Sequence, residues 1–343
     1  MRAYLFIMAV AALVTFSATY FTIRMSRKHL AMPAIRDRDV HTTPTPRIGG
    51  IAMLAGLLVA LLAAGSLTWF SSVFSEPERL LAIVAAATVI VIVGVLDDFF
   101  DLDWTIKLAG QVLAAGILAW QGVQIISLPI GGLVIGSYGV SMLMTIFITV
   151  LIMNAVNFID GLDGLVAGVV LLGTSAFFLY AYLITQQTSP TNYFNLASLI
   201  SAIVVGISLG FLPLNWHKAK IFMGDSGSML LGLLMATSAL AVTGQIDPAT
   251  VSNRVLAPAF LPLILPLAIL VLPLLDLLLA VIRRVRAGES PFKADKSHIH
   301  HKLQDLGHSH VGSVLVFYLW TAVISFGGLS LLFIPVSYTH LRA

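Results

Sequence analysis

An all-α polytopic membrane protein with about ten transmembrane helices and a kinked ninth helix is the fold this sequence predicts. Three observations carry that prediction. Of the 343 residues, 58% are hydrophobic and 10% charged, and the mean hydropathy is +0.97, far from the composition of a soluble domain. Ten apolar runs are each long enough to cross a hydrocarbon layer of about 30 Å. Lys and Arg are divided very unequally between the two ends of those runs.

The first run, Ala3 to Ile23, is followed at once by Arg24, Arg27 and Lys28. It shows no small-residue cleavage site and is read as a retained helix. Further spans are expected at 48–68, 80–96, 107–126, 140–158, 164–184, 194–214, 227–243, 257–282 and 312–336. They make one integral-membrane domain over 1–343, with both termini on the same side. Loops after odd-numbered spans hold 15 of the 19 basic residues; Arg2, Arg79, Arg254 and Arg342 are the other four. That bias makes the odd loops cytoplasmic and points to membrane lipids, not nucleic acid, as the surroundings. Cysteine is absent, so any metal must be held by carboxylate, amide or imidazole.

Charge is expensive in such a chain, so its polar clusters mark sites. The central one is Asn157-Phe158-Ile159-Asp160-Gly161-Leu162-Asp163-Gly164-Leu165, at the end of an apolar run. Asp160 and Asp163 share a face on a helical turn, and Gly161 and Gly164 leave the backbone open to a ligand. A plain turn would explain a lone Asp-Gly pair, but three more polar clusters recur on the same side. Upstream, Pro44 to Gly50 sets Arg47 beside exposed amides, which suits a phosphate; an ordinary membrane-entry turn fits it as well. The third span ends in Asp97-Asp98, with Asp101, Asp103 and Lys107 following. Adjacent helical positions point about 100° apart, so the two acids would take distinct roles. Asn215 precedes Phe222-Met223-Gly224-Asp225-Ser226-Gly227-Ser228, where Asp225 reads as an N-cap or as part of a seat for a phosphate and its cation. The ninth span carries Pro262, Pro266 and Pro273, which predict bending, and Asp276. Beyond it, His298, His300 and His301 read as a zinc cluster, as hydrogen-bond donors to a sugar and phosphates, or as part of a basic segment on anionic lipid heads.

Together these residues resemble the polyprenyl-phosphate N-acetylhexosamine-1-phosphate transferases, integral membrane enzymes that start cell-envelope glycan synthesis. The resemblance runs through Pro44 to Gly50, Asp97-Asp98, Asn154 to Leu165, Phe222 to Ser228 and Asp276 to His301. It implies transfer of a sugar 1-phosphate from a UDP-sugar to a polyprenyl phosphate, undecaprenyl phosphate in bacteria, with release of UMP. It also implies dependence on Mg2+, cytoplasmic active-site loops in a bacterial inner membrane, and room for a homodimer. Ser290-Pro291-Phe292 and His298-Ile299-His300-His301 look like the branch using UDP-N-acetylglucosamine; another UDP-N-acetylhexosamine is the alternative donor. Some relatives continue into an eleventh span where Ser337 to Ala343 here reads as a polar tail.

A diphosphate and a phosphate monoester meet only when a divalent cation screens them, and oxygen ligands suit magnesium. The resemblance implies metal binding by Asp225, with the Asn157 side-chain oxygen or Asp160 nearby. It implies Asp97 as acceptor of the lipid phosphate's proton or as its positioner, with Asp98, Asp163 and Lys107 orienting metal and phosphates. Asn215 and Phe222 are placed for the uracil, and His298, His300 and His301 for the sugar and pyrophosphate. Direct attack and a covalent aspartyl-phosphate route both stay open. A transporter would share Asp276 and the proline-broken helices, but its acids would sit near the membrane midplane.

Overall fold

A helix that crosses lipid satisfies its backbone polar groups internally, so long apolar runs resolve into helices with polar turns between them. The computed structural model describes residues 1–29, 45–125, 137–188, 194–243, 271–286, 288, 303 and 307–330. The helices are α1 (Arg2–His29), α2 (Gly49–Gly65), α3 (Ser71–Phe74), α4 (Pro77–Phe100), α5 (Trp104–Trp120), α6 (Tyr138–Phe158), α7 (Leu165–Thr188), α8 (Leu196–Asn215), α9 (Gly224–Thr243), α10 (Val271–Arg286) and α11 (His310–Ser330). Among the described residues, seven helices are long and apolar enough to cross a membrane. The count becomes eight if α2 and the segment Thr68–Phe74, bent from it by 94°, form one broken span. The remaining expected spans are α5, at 17 residues, and α10, at 16. Residues 257–270 of the expected ninth span lie outside the described ones, with Pro262 and Pro266; so does the side chain of Asp276 within α10.

The core is built around α9. Of its apolar stretch 89% is buried inside the protein, against 28% for α1 and for α11. It packs against α2, α4, α6 and α8, so a helix apolar nearly all round is what that position requires. Small residues bring the backbones close: a Cβ placed on Gly50 would stand 2.5 Å from the carbonyl carbon of Ser226, and one on Gly232 would stand 2.7 Å from Met153 Cα. Close approach of this kind substitutes for the hydrophobic drive that lipid removes. At the opposite end Tyr4, fully buried, meets Phe70 and Phe178 edge-on at 5.3 Å each and stacks on Phe194. That aromatic plug ties α1 to α7 and to the chain entering α8. α1 and α11 turn Leu5, Phe6, Phe21, Leu319 and Val323 outward, the face a lipid bilayer would cover.

Two of the four acids at the junction of α4 and α5 serve the turn itself. Asp101 ends α4 in the left-handed region at φ 51°, a conformation Asp tolerates better than most residues. Asp103 caps α5, accepting the Thr105 hydroxyl and the Thr105 N–H, the latter at 2.9 Å, and these two bonds hold its carboxyl below the usual range. Asp97 and Asp98 are thereby left, buried, on the last turn of α4.

Candidate active site

The N-terminus of α9 gathers the predicted polar clusters of α4, α5 and α6. Lys107, one turn into α5, sets its Nζ 3.3 Å from Asp97 Oδ2 and 3.4 Å from Asp225 Oδ2. Asp225 Oδ1 accepts the Asn157 Nδ2 at 3.1 Å, and the same nitrogen donates to Ser228 Oγ at 2.9 Å. Asp98, buried behind this chain, accepts the backbone N–H of Asp225 at 3.2 Å and of Ser226 at 3.5 Å, together with the Ser226 hydroxyl at 3.3 Å. Asp98 therefore caps α9 across the helix interface, and Asp225 is freed from that duty. Adjacent in sequence, the two acids of α4 face different partners, as the 100° step between them predicts.

Glycine makes the convergence possible. Gly224 has φ +69°, and a Cβ there would collide with the carbonyl oxygen of Arg47 and with Asp98 Oδ2. Extended pairing holds the approach: Phe222 N–H donates to Pro46 O at 2.8 Å, and Gly49 N–H to Phe222 O at 3.2 Å. The Pro44–Gly50 motif and the Phe222–Ser228 motif are thus laid edge to edge, with Arg47 half-buried beside them.

One turn deeper, Asn154, the first residue of the Asn154–Leu165 motif, meets Gln111, which sequence reasoning did not single out. Gln111 and Asn154 exchange side-chain hydrogen bonds, Asn154 Nδ2 to Gln111 Oε1 at 2.6 Å and Gln111 Nε2 to Asn154 Oδ1 at 3.3 Å. Gln111 follows Lys107 by four residues, as Asn154 precedes Asn157 by three, so helical spacing alone could have flagged it.

Asp160 sits half-buried in the turn after α6. Desolvation, reinforced by the charges of Asp225 and Asp163 and opposed by Arg47, pushes its carboxyl up to about 7. A raised value means that the folded chain keeps a proton that the unfolded chain has lost between the ordinary carboxylate range and about 7, so stability should fall as pH rises through that window. We expect the unfolding temperature of the chelator-treated protein in detergent to drop between pH 5.5 and 7.5, with a smaller drop for Asp160→Asn. Equal slopes would overturn this assignment.

Asp163 is engaged elsewhere. Its Oδ2 accepts the backbone N–H of Lys218 at 3.1 Å and of Ala219 at 3.3 Å, on the loop after α8. Asn215, placed from sequence for a base, spends both ends of its amide on the chain: Oδ1 accepts Gly164 N–H at 3.1 Å, and Nδ2 donates to Ile221 O at 2.9 Å. It braces the α6–α7 turn against the approach to α9. His298, His300 and His301 lie outside the described residues.

Oxygen donors dominate the centre. Asp97 Oδ1 is buried and has no hydrogen-bond partner among the described residues, and beside it lie the Asp225 carboxylate and the Asn157 amide. An unsatisfied buried carboxylate oxygen is costly unless a cation or donor group reaches it, so this set fits a hard divalent ion. Asn157 turns its nitrogen toward Asp225 and would have to reverse to act as a ligand.

The chain is similar to known proteins over most of its length. Residues 80–243 match the family described as glycosyl transferase family 4. The chain is 40% identical to a decaprenyl-phosphate N-acetylglucosaminephosphotransferase of Mycobacterium leprae, over 94% of this chain and 82% of that protein. It is 33% identical to a probable undecaprenyl-phosphate N-acetylglucosaminyl 1-phosphate transferase of Bacillus subtilis, over 90% and 79% respectively. It is also 32% identical to a phospho-N-acetylmuramoyl-pentapeptide-transferase of Halalkalibacterium halodurans, over 84% and 81%.

Proposed function

The chain belongs to glycosyl transferase family 4, and on that premise we propose that it transfers N-acetylglucosamine 1-phosphate from UDP-N-acetylglucosamine to a polyprenyl phosphate, giving polyprenyl-diphospho-N-acetylglucosamine and UMP. An oxygen of the lipid phosphate attacks the phosphorus that carries the sugar. The bond from that phosphorus to the UMP oxygen breaks, and the electron pair leaves with UMP.

The observation that supports this reading most directly is the Asp97–Lys107–Asp225 chain at the buried start of α9. Lys107 stands between two carboxylates and can turn its ammonium to a phosphate oxygen while they hold it in place. Asp97, with one oxygen unpaired among the described residues, can position the acceptor phosphate; that group is already largely ionised at neutral pH, so its alignment matters more than its deprotonation. Asp98 fixes the first turn of α9 and so fixes where Asp225 points. Magnesium suits Asp225 and Asp97, and when bound it supplies the positive charge that lets a diphosphate and a phosphate monoester approach.

Purified protein given UDP-N-acetylglucosamine, polyprenyl phosphate and Mg2+ should release UMP, and omission of either substrate or chelation of the metal should abolish release. No UMP from the complete mixture would overturn the reaction. In competition, UDP-N-acetylglucosamine should outcompete UDP-MurNAc-pentapeptide; equal use would sink the donor assignment alone.

The 15-to-4 division of basic residues supports a site on the cytoplasmic face of the membrane, which we take to be a bacterial inner membrane. The chain has no native cysteine, so single cysteines introduced between 283 and 311 report cleanly. They should react with an impermeant reagent only after the membrane is opened. Labelling from outside intact cells would put the site out of reach of a cytoplasmic nucleotide.

A further inference from the structure

We propose that Asp163, His217 and His310 form a binding site for a divalent transition cation such as Zn2+, separate from the carboxylates around Asp225. The three residues come from the α6–α7 turn, the loop after α8 and the first residue of α11, and they lie far apart in sequence. Their ligand atoms all fall within 4.8 Å of one another. His217 Nδ1 stands 3.8 Å, and His310 Nε2 3.9 Å, from the same carboxylate oxygen, Asp163 Oδ2. Those separations are too long for hydrogen bonds. They are close to what two atoms sharing an ion require: with bonds of about 2.0–2.2 Å, tetrahedral neighbours stand roughly 3.3–3.5 Å apart. Closure by a few tenths of an ångström brings each histidine to the carboxylate oxygen, and the two imidazole nitrogens, within 4.8 Å of each other, draw together around the ion.

The chemistry of the set selects the ion. Two imidazole nitrogens and one carboxylate oxygen favour zinc, cobalt or nickel over magnesium, which prefers an all-oxygen shell. The Asp163 side chain is 1% exposed and that of His217 41%, so a fourth, water-filled position would open toward His217. Backbone donors hold two of the three ligand side chains in position. Backbone N–H groups of Lys218 and Ala219 hold Asp163 Oδ2, and Lys218 keeps a φ of +63°, rare for a residue with a side chain, to deliver them. His310 Nε2 accepts the Asp163 N–H at 3.1 Å, which assigns the ring's proton to Nδ1 and engages the Nε2 lone pair with the backbone. A cation would take over that lone pair, at the loss of one backbone hydrogen bond.

The clasp would pin the start of α11 onto the α6–α7 turn. The Tyr318 hydroxyl already donates to Gly164 O at 2.5 Å, so α11 stays seated without the ion, and a variant lacking a histidine should still fold.

The test uses the full chain in detergent, free of any histidine tag, with millimolar Mg2+ present to occupy hard oxygen sites. Titration with Co2+ should show one equivalent bound, with the visible absorption of a low-coordinate nitrogen and oxygen shell, displaced by Zn2+. His217→Ala and His310→Gln should each weaken binding at least tenfold, while Asp225→Asn should leave it intact. Zinc should raise the unfolding temperature of the native chain and not that of His217→Ala, the two being alike in chelator. The site is refuted if the native chain takes up no cobalt, if uptake survives in the double histidine variant, or if it is lost in Asp225→Asn.

Discussion

Asp225→Asn is expected to lower the rate of sugar-phosphate transfer by on the order of a thousandfold or more, the loss anticipated when one contact to a catalytic cation disappears. The substitution is nearly isosteric and leaves the Asp225 backbone N–H on Asp98, so α9 keeps its cap and the fold should stand. What changes is charge. Lys107 Nζ, 3.4 Å from Asp225 Oδ2, loses one of its two carboxylates, and a divalent ion loses a hard anionic ligand. Initial rates of UMP release over a wide range of Mg2+ concentration would check this, and extra Mg2+ should fail to restore the native rate. Near-native turnover would reduce Asp225 to a polar residue in the first turn of a helix.

Gly94→Ala should be almost as damaging without touching a charged group. A Cβ at residue 94 would overlap Ser226 Cα and N and stand 2.8 Å from the carbonyl carbon of Asp225, all of them backbone atoms that cannot swing aside. α4 and α9 would have to separate, drawing Asp98 away from the two amides it caps. A shift of about 1 Å at a reacting centre can cost about a hundredfold in rate, so activity should fall by about that factor, with a lower unfolding temperature. Rate and thermal stability measured on the same preparation would decide, and an unchanged kcat would show that the helices can yield there.

The spans were legible because lipid leaves a helix no alternative: 80–96, 140–158 and 194–214, read from hydropathy, appear as α4, α6 and α8 with ends within a few residues. The acids of the site were legible for a related reason, since Asp97, Asp98 and Asp225 end or begin apolar helices where charge needs a purpose. Which partner each acid takes was not. Nothing in the period of α4 tells that Asp98 caps α9, because that depends on Gly94 and Gly224 letting two backbones meet. Asp163 looked equivalent to Asp160, yet the strained Lys218 turn captures it. His217 stood alone in the sequence and His310 had only His308 beside it, and neither carried a spacing signal toward the other until the fold brought them together.

The burial of α9 among helices that precede it in the chain sets an order on biogenesis. Asp98 leaves the ribosome 128 residues before Ser226, whose amide and hydroxyl it receives, and Lys107 118 residues before Asp225. At about 5–20 residues per second, that interval lasts on the order of ten seconds. Throughout it, Asp97, Asp98 and Lys107 stand at the end of α4 and the start of α5 without the α9 groups that they meet in the finished fold. The nascent half-protein is therefore a charged vestibule, and translation of residues 224–243 drives in the bolt that closes it.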